Sequence, residues 1–363
     1  MLDVSTLESL TDLDVNACGL TALDVSHNVE LVNFDCSSNA LKALNVDNNV
    51  AMVNFDCSGN NLSTLRVTNN LVLDKLDCSN NTLANINVRK NTVLKTLNVS
   101  GNADITALAL GYNTILEDLN AGNTGLTDID LSENLSVKTV NLSGCTGIHI
   151  IDLTANTALV DLNVSATSLA SLDLLNNTSL TILNVSNNSS LATLDINDGI
   201  HLIVGTPVKP ISSISAKWAY VDDVQAVFFK YENRVRALSA DQTSAKWNYY
   251  GTITGATSTS DGMVNTNKIV ENSSAAMWCR NKGSLWYLPA LDELIAINDN
   301  KTELNTTLSS IGGTQLGNNN SNSYYWSSTE YNNNYAYYVS FPYGETNALY
   351  KDNIFLVRAV RAL

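Results

Sequence analysis

The sequence predicts a β-solenoid followed by a separately folded α+β domain, and three observations predict it. A nonapeptide of the form L-x-x-L-D-V-S-x-N recurs eighteen times from Leu10 onward, in copies ten or eleven residues apart. The period stops after Leu202, and all five tryptophans, Trp218, Trp247, Trp278, Trp286 and Trp326, come after it. Charge is segregated at the same place: residues 1–202 hold 7 Lys and Arg against 22 Asp and Glu, whereas residues 203–363 hold 13 against 13. The whole net charge of −15 therefore sits on the repeats.

Side chains alternate faces along a strand. The first and fourth positions of each copy and the residue after its Asp or Asn then point inward, which makes Leu13, Val15, Leu23 and Val25 core. Two copies make a unit of 21 or 22 residues, so the spacing predicts two short strands per coil, one on each side of a flattened spiral. Asn28, Asn39, Asn60, Asn102 and Asn188 end their copies, where a short amide can satisfy turn backbone groups otherwise buried without partners. No coil can bury its apolar face alone, so stability comes from stacking. The period lies within the range of leucine-rich repeats, and residues 2–202 resemble the short double-strand leucine-rich repeats of bacterial surface proteins.

Cys36, Cys57 and Cys78 recur at the inward Val position one coil apart, and Cys18 and Cys145 replace the turn Asn, so these five read as small buried hydrophobes. No C-x-x-C pair and no nearby His accompanies them, which argues against a metal centre. Outward rungs run Asp14, Asp35, Asp56, Asp77 on one side and Asp130, Asp152, Asp173, Asp195 on the other. Such ladders read as a solvated face, and their sign argues against nucleic acid as a partner. No apolar run is long enough to span a membrane. Met1 and Leu2 lead directly into repeat sequence, and the expectation is a cell-surface or secreted protein whose export signal and anchor lie outside this sequence.

Residues 203–216, with Pro207 and Pro210, read as a linker, leaving residues 217–363 as a second domain of a size that buries one core. Helices are predicted at 274–279 and 291–298, the latter opened by Pro289 and carrying Leu291, Leu294, Ile295 and Ile297. Tyr337, Val339 and Phe341 alternate and should face the core, leaving Tyr338 and Ser340 outward. Arg358 and Arg361 are expected to pair with Glu330 beneath the loops.

The series DGMVNT (261–266), AAMWC (275–279), WYLPALDEL (286–294), Gly312-Gly313, YYWSSTEY (324–331) and VRAVRAL (357–363) resembles the C-type-lectin-like domains of Bacteroidetes, which include the variable proteins of diversity-generating retroelements. The resemblance implies a rigid scaffold whose ligand-binding residues lie near the carboxyl terminus. Retroelement mutagenesis replaces adenines, and between residues 348 and 356 the chain reads A-L-Y-K-D-N-I-F-L, in which every residue except Lys351 is reachable from an Asn codon of the form AAY. Glu345, just before, also departs from that alphabet.

Tyrosines interleaved with asparagines provide rigid amphipathic contact area and adaptable hydrogen bonding. The candidate ligand-binding residues are accordingly Tyr331, Asn332, Asn333, Asn334, Tyr335, Tyr338, Ser340, Tyr343, Asn347, Ala348, Leu349, Tyr350, Asp352, Asn353 and Phe355. Ile354 and Leu356 are either part of this apolar surface or inward residues of the last strand. The reading is a non-enzymatic binding or adhesion protein, without cofactor or metal, whose solenoid stalk presents a domain that recognises a protein or cell-surface glycoconjugate. The competing reading puts recognition on the solenoid faces, with the second domain as a cap. An enzymatic alternative, suggested by the related scaffold of formylglycine-generating enzymes, would depend on Cys279, since His27, His149 and His201 all lie in or beside the repeats.

Overall fold

The computed structural model describes residues 2–206, 210–317, 323–341 and 343–363. It divides into two compact units, Met1–Asn197 and Asp198–Leu363. Of the expected 203–216 linker, residues 207–209 lie outside the described residues, and the second unit takes in 203–206 and 210–216.

In the first unit a parallel sheet runs from Asp12–Asp14 through Asn33–Asp35, Asn54–Asp56 and Lys75–Asp77 to Ile182–Asn184, each strand one coil from the next and in register. The middle residue of each strand points inward, and Phe34, Phe55, Leu76 and Leu97 are buried in consecutive coils, with Phe34 and Phe55 stacked at 5.4 Å. Leu13 in the first coil is half-buried.

The opposite side of the coil differs from expectation. There, among the described residues, strands form at Ser171–Asp173 and Thr193–Asp195, which pair in parallel, while the other copies form no ladder. Backbone contact between coils on that side falls to single bonds at the corner, such as Ala40 N–H to Leu20 O and Asn61 N–H to Leu41 O. Sequence periodicity reports which residues point inward, and both half-copies do; a strand also requires neighbouring backbones at ladder distance.

Asparagine amides replace the missing backbone bonds. Asn49 donates to Val25 O and Asn28 O, and Asn70 donates to Val46 O and Asn49 O, a pattern repeated at Asn91, Asn113, Asn134, Asn156 and Asn177. A second row, Asn39, Asn60, Asn81 and Asn102, donates to carbonyls of its own and the preceding coil while accepting a backbone N–H, as Asn60 does from Leu41. Beside this row one residue per coil adopts a positive φ, among them Ser38 at 55°, Gly59 at 62° and Asn80 at 51°, a conformation that Gly and Asn tolerate best.

The Asp/Asn rungs have a local function. Asp35, Asp56 and Asp77 each accept the N–H of the residue two positions on, and Asn98, Asn120 and Asn141 make the same bond. Either side chain supplies the required oxygen, which explains their interchange. Cys36, Cys57, Cys78 and Cys145 are buried as expected, but Cys18 is exposed: Cys145 donates to Ala121 O of the preceding coil, whereas Cys18 donates to Asn16 O in its own turn.

Among its described residues the second unit has four helices, and most of its strands fall in two sheets. In one sheet His201–Ile203 pairs in parallel with Trp218–Val221, which continues antiparallel through Val224–Tyr231, Arg234–Ser239 and Val360–Ala362. The other has the order Thr243–Lys246, Ile354–Val357, Ser323–Glu330, Tyr335–Phe341, Glu345–Tyr350. The helices are α1 (Gly262–Ile269), α2 (Ser274–Arg280), α3 (Leu291–Asp299) and α4 (Lys301–Ser310). Sequence reasoning predicted α2 and α3 and missed α1 and α4, whose Asn, Thr, Ser and Gly residues are weak helix formers. What makes them helices is context: Asp261 caps α1 by accepting the Val264 N–H, and Leu304 and Leu308, one turn apart on α4, enter the core with Val227, Leu294, Tyr325, Val339 and Phe341.

The motif residues build the frame. Glu293, 1% exposed, receives the Tyr287 hydroxyl at 2.7 Å, the Arg236 guanidinium at 3.3 Å and the N–H groups of Gly262 and Ala290. Burial pushes its carboxyl up, against these donors. Glu293 thus ties α1, the start of α3 and the strand Arg234–Ser239 together.

Candidate ligand-binding surface

Residues directly opposite on an antiparallel ladder share a face. Tyr335 faces Tyr350 and Tyr337 faces Ala348, whereas Tyr338 faces Asn347 and Ser340 faces Glu345. The sequence-predicted residues therefore divide between the two faces of the sheet instead of forming one patch.

On the first face the tyrosines form a row. Tyr335 and Tyr350 stack at 4.6 Å, Tyr331 meets Tyr335 edge-on at 6.5 Å and Tyr337 at 5.3 Å, and Tyr250 lies 5.7 Å from Tyr350. Tyr331, Asn332, Asn333, Tyr350 and Asp352 are exposed; Asn334, Tyr335, Ala348 and Asn353 are half-buried. Asn332 is committed to its own turn, accepting the N–H groups of Asn334 and Tyr335. Val339 and Phe341 reach the core as expected, while Tyr337 stays half-buried against Tyr331.

On the second face Tyr338 and Phe355 pack with Tyr324 and the buried Trp326. Tyr343 and Asn347 are exposed and Leu349 is half-buried. Ser340, expected outward, is 5% exposed: it lies on the outward face but beneath neighbouring side chains. Ile354 is exposed, and Leu356 packs against the core.

Sequence reasoning missed residues 249–253, where Tyr249, Tyr250 and Ile253 are exposed beside the tyrosine row. The run Y-Y-G-T-I, between the strand Thr243–Lys246 and α1, was the available signal, but its proximity to Tyr350 is a tertiary fact.

The ion pair beneath these loops also differs from expectation. Glu330 pairs with Lys351, not with Arg358 or Arg361. Lys351, fully buried, donates to Glu330 Oε1 at 2.5 Å, Thr252 O at 2.5 Å and Asn333 O at 3.1 Å, and its ammonium lies 5.0 Å from the Trp247 ring centroid. Glu330 also accepts the N–H groups of Thr254 and Gly255. Burial alone would raise the Glu330 carboxyl; the hydrogen bonds from Lys351, Thr254 and Gly255 outweigh it and hold the group below its usual range. One ammonium therefore fastens three segments, 252–255, 330–334 and 350–351, under the tyrosine row. Arg358 instead donates to the carbonyls of Ser239, Asp241 and Thr314, and Arg361 pairs with Asp222.

Cys279 is fully buried, and burial pushes its thiol far above the ordinary range, the opposite of what a nucleophile needs. Among the described residues no cluster of His, Cys, Asp and Glu could hold a metal ion, and no helix is long and apolar enough to cross a membrane.

No curated protein matches the chain. Among solved structures it is similar to the functional domain of InlJ from Listeria monocytogenes, described as including a cysteine ladder, at 24% identity and a TM-score of 0.46, over 60% of this chain and 55% of that one. It is also similar to a leucine-rich-repeat protein of Leptospira interrogans, at 22% identity and a TM-score of 0.43, over 55% and 63% of the two chains. A third is an internalin, InlF, of Listeria monocytogenes, at 15% identity and a TM-score of 0.44, over 59% and 89%. The chain thus spans less than two thirds of the first two. Residues 232–361 match the sequence model of a family described as the Lcl C-terminal domain. The chain thus joins a solenoid of repeated coils, with leucine-rich-repeat proteins among its structural neighbours, to an α+β domain that matches the Lcl C-terminal domain model over residues 232–361.

Proposed function

We propose that this is a non-enzymatic adhesion protein, displayed at a cell surface or secreted, whose solenoid is an arm and whose C-terminal domain grips a protein on another cell or surface. The observation that carries this is the row Tyr250–Tyr350–Tyr335–Tyr331, presented by loops that Lys351 and Glu330 hold from within. Ordered tyrosines lose little entropy on binding and bury large areas. Ile253 and Ile354, in the flanking segments, are 78% and 63% exposed, aliphatic area that suits a protein surface better than a hydroxyl-rich glycan. Lys351, outside the adenine-replacement alphabet, is buried, whereas Tyr350, Asp352 and Ile354, within it, are exposed, which supports a surface that varies over a constant frame.

The test is a protein and glycan array probed with the full chain and with Tyr335→Ala/Tyr350→Ala. Binding to protein features, lost in the double variant, is expected. Binding that survives the double variant refutes this surface, and binding confined to glycan features refutes the protein partner.

A further inference from the structure

The second face of the same sheet carries a separate site, made of different residues from the tyrosine row. Trp326 faces Tyr338, Tyr324 faces Ser340, Tyr338 faces Asn347 and Ser340 faces Glu345, so side chains from three adjacent strands project together. Between them lies a cleft of about 450 Å³ lined by Tyr324, Tyr338, Ser340, Tyr343, Glu345 and Asn347. That volume falls in the range of small-ligand sites.

Two walls are aromatic. The Tyr324 and Tyr338 rings stand at 78° with centroids 5.1 Å apart, and Phe355 backs both, at 5.1 and 5.0 Å. Tyr343, 70% exposed, stands at the mouth, and Glu345 supplies a carboxylate. No Lys or Arg is among the described lining residues. Burial, then Tyr324, then the Glu345 charge raise the Tyr338 phenol, which places the carboxylate within electrostatic reach of the aromatic corner.

Aromatic faces carry negative potential and attract cations, most strongly those whose hydration is weak. A carboxylate at the rim adds a full charge of the same sign, which repels phosphate, sulfate and uronate ligands. We propose that this cleft binds an alkylated ammonium group, of the chemistry shared by a choline headgroup and a methylated lysine side chain. The alkyl groups lie against Tyr324 and Tyr338, Glu345 neutralises the charge, and Tyr343 closes over it.

The test uses the full chain and ligand-observed saturation-transfer NMR with tetramethylammonium and choline chlorides, against sodium chloride at equal ionic strength. Saturable binding of both is expected, with dimethylbutanol, the uncharged carbon isostere of choline, about tenfold weaker. Glu345→Gln and Tyr343→Ala alter exposed side chains, so an unchanged melting temperature verifies folding; each should weaken choline about tenfold. Phosphatidylcholine vesicles and a trimethyl-lysine peptide then distinguish a lipid source from a protein one, and binding of either supports the site. The proposal is overturned if neither ammonium binds, if dimethylbutanol matches choline, if Glu345→Gln has no effect, or if glucose or galactose displaces choline. None of these outcomes bears on the Tyr335/Tyr350 array result.

Discussion

Replacing Lys351 by Met tests the central physical claim about the tyrosine row. The methionine keeps most of the apolar stem but removes the ammonium, leaving Glu330 and the carbonyls of Thr252 and Asn333 without their donor. Glu330 is 5% exposed and retains only the Thr254 and Gly255 N–H groups. Breaking a buried pair by removing one partner costs about 3–5 kcal/mol. The three fastened segments are loops and strand ends, so they can open and hydrate the carboxylate, and the loss is expected to appear locally.

Hydrogen exchange read at the amides of Trp247, Asn248 and Lys351, which bond to Lys351 O and Asn334 O, should accelerate on the order of a hundredfold or more, the equivalent of that free energy. Amides of the solenoid sheet should not change. Acid dependence should also reverse. In the wild type the Glu330 carboxyl is held below its unfolded value, so its contribution is complete above about pH 4.3 and is lost as pH falls through the lower folded value. In Lys351→Met burial is no longer opposed by the ammonium, the folded value rises above the unfolded one, and the domain should gain stability as pH falls. Lys351→Met/Glu330→Gln should recover much of the loss, since the amide oxygen still accepts from Thr254 and Gly255. A single variant with less than about 1 kcal/mol of destabilisation and unchanged exchange would refute the account.

Gly262→Ala should destabilise the C-terminal domain by about 1–3 kcal/mol in denaturant titration, because the new Cβ would lie 2.5 Å from Leu288 O and 2.7 Å from Ala290 N and Glu293 Oε2. Mass spectrometry after iodoacetamide treatment of the native chain should find Cys18 alkylated and Cys36, Cys57, Cys78, Cys145 and Cys279 untouched until denaturant is added. Asp56→Asn keeps the oxygen that accepts the Ser58 N–H and removes a carboxylate whose value is raised by burial first and by Asp77 and Asp35 after it. A raised carboxyl destabilises the fold at neutral pH and ceases to do so as pH falls through it, so the variant should melt slightly higher at pH 7, by less than about 1 kcal/mol, and no higher at pH 3.

The solenoid was legible because its order is local and repeated. Inward Leu and Val, turn Asn and rung Asp answer to strand alternation and to backbone groups needing partners, and eighteen copies leave little room for another reading. Its misreadings, the second strand of each coil and the burial of Cys18, concern what lies across from a residue in a neighbouring coil, on which side-chain periodicity is silent. In the C-terminal domain the pattern showed that tyrosines and asparagines crowd the last strands, and which of Tyr337, Val339 and Phe341 share a face. Tertiary structure alone decided the division of the candidate residues between two faces, the arrival of Tyr250 beside Tyr350 from a hundred residues away, and the choice of Lys351 over Arg358 as the partner of Glu330. Those outcomes depend on which segments long-range pairing brings together, and once Lys351 is enclosed its charge can be compensated only by the acceptors that the fold has placed around it.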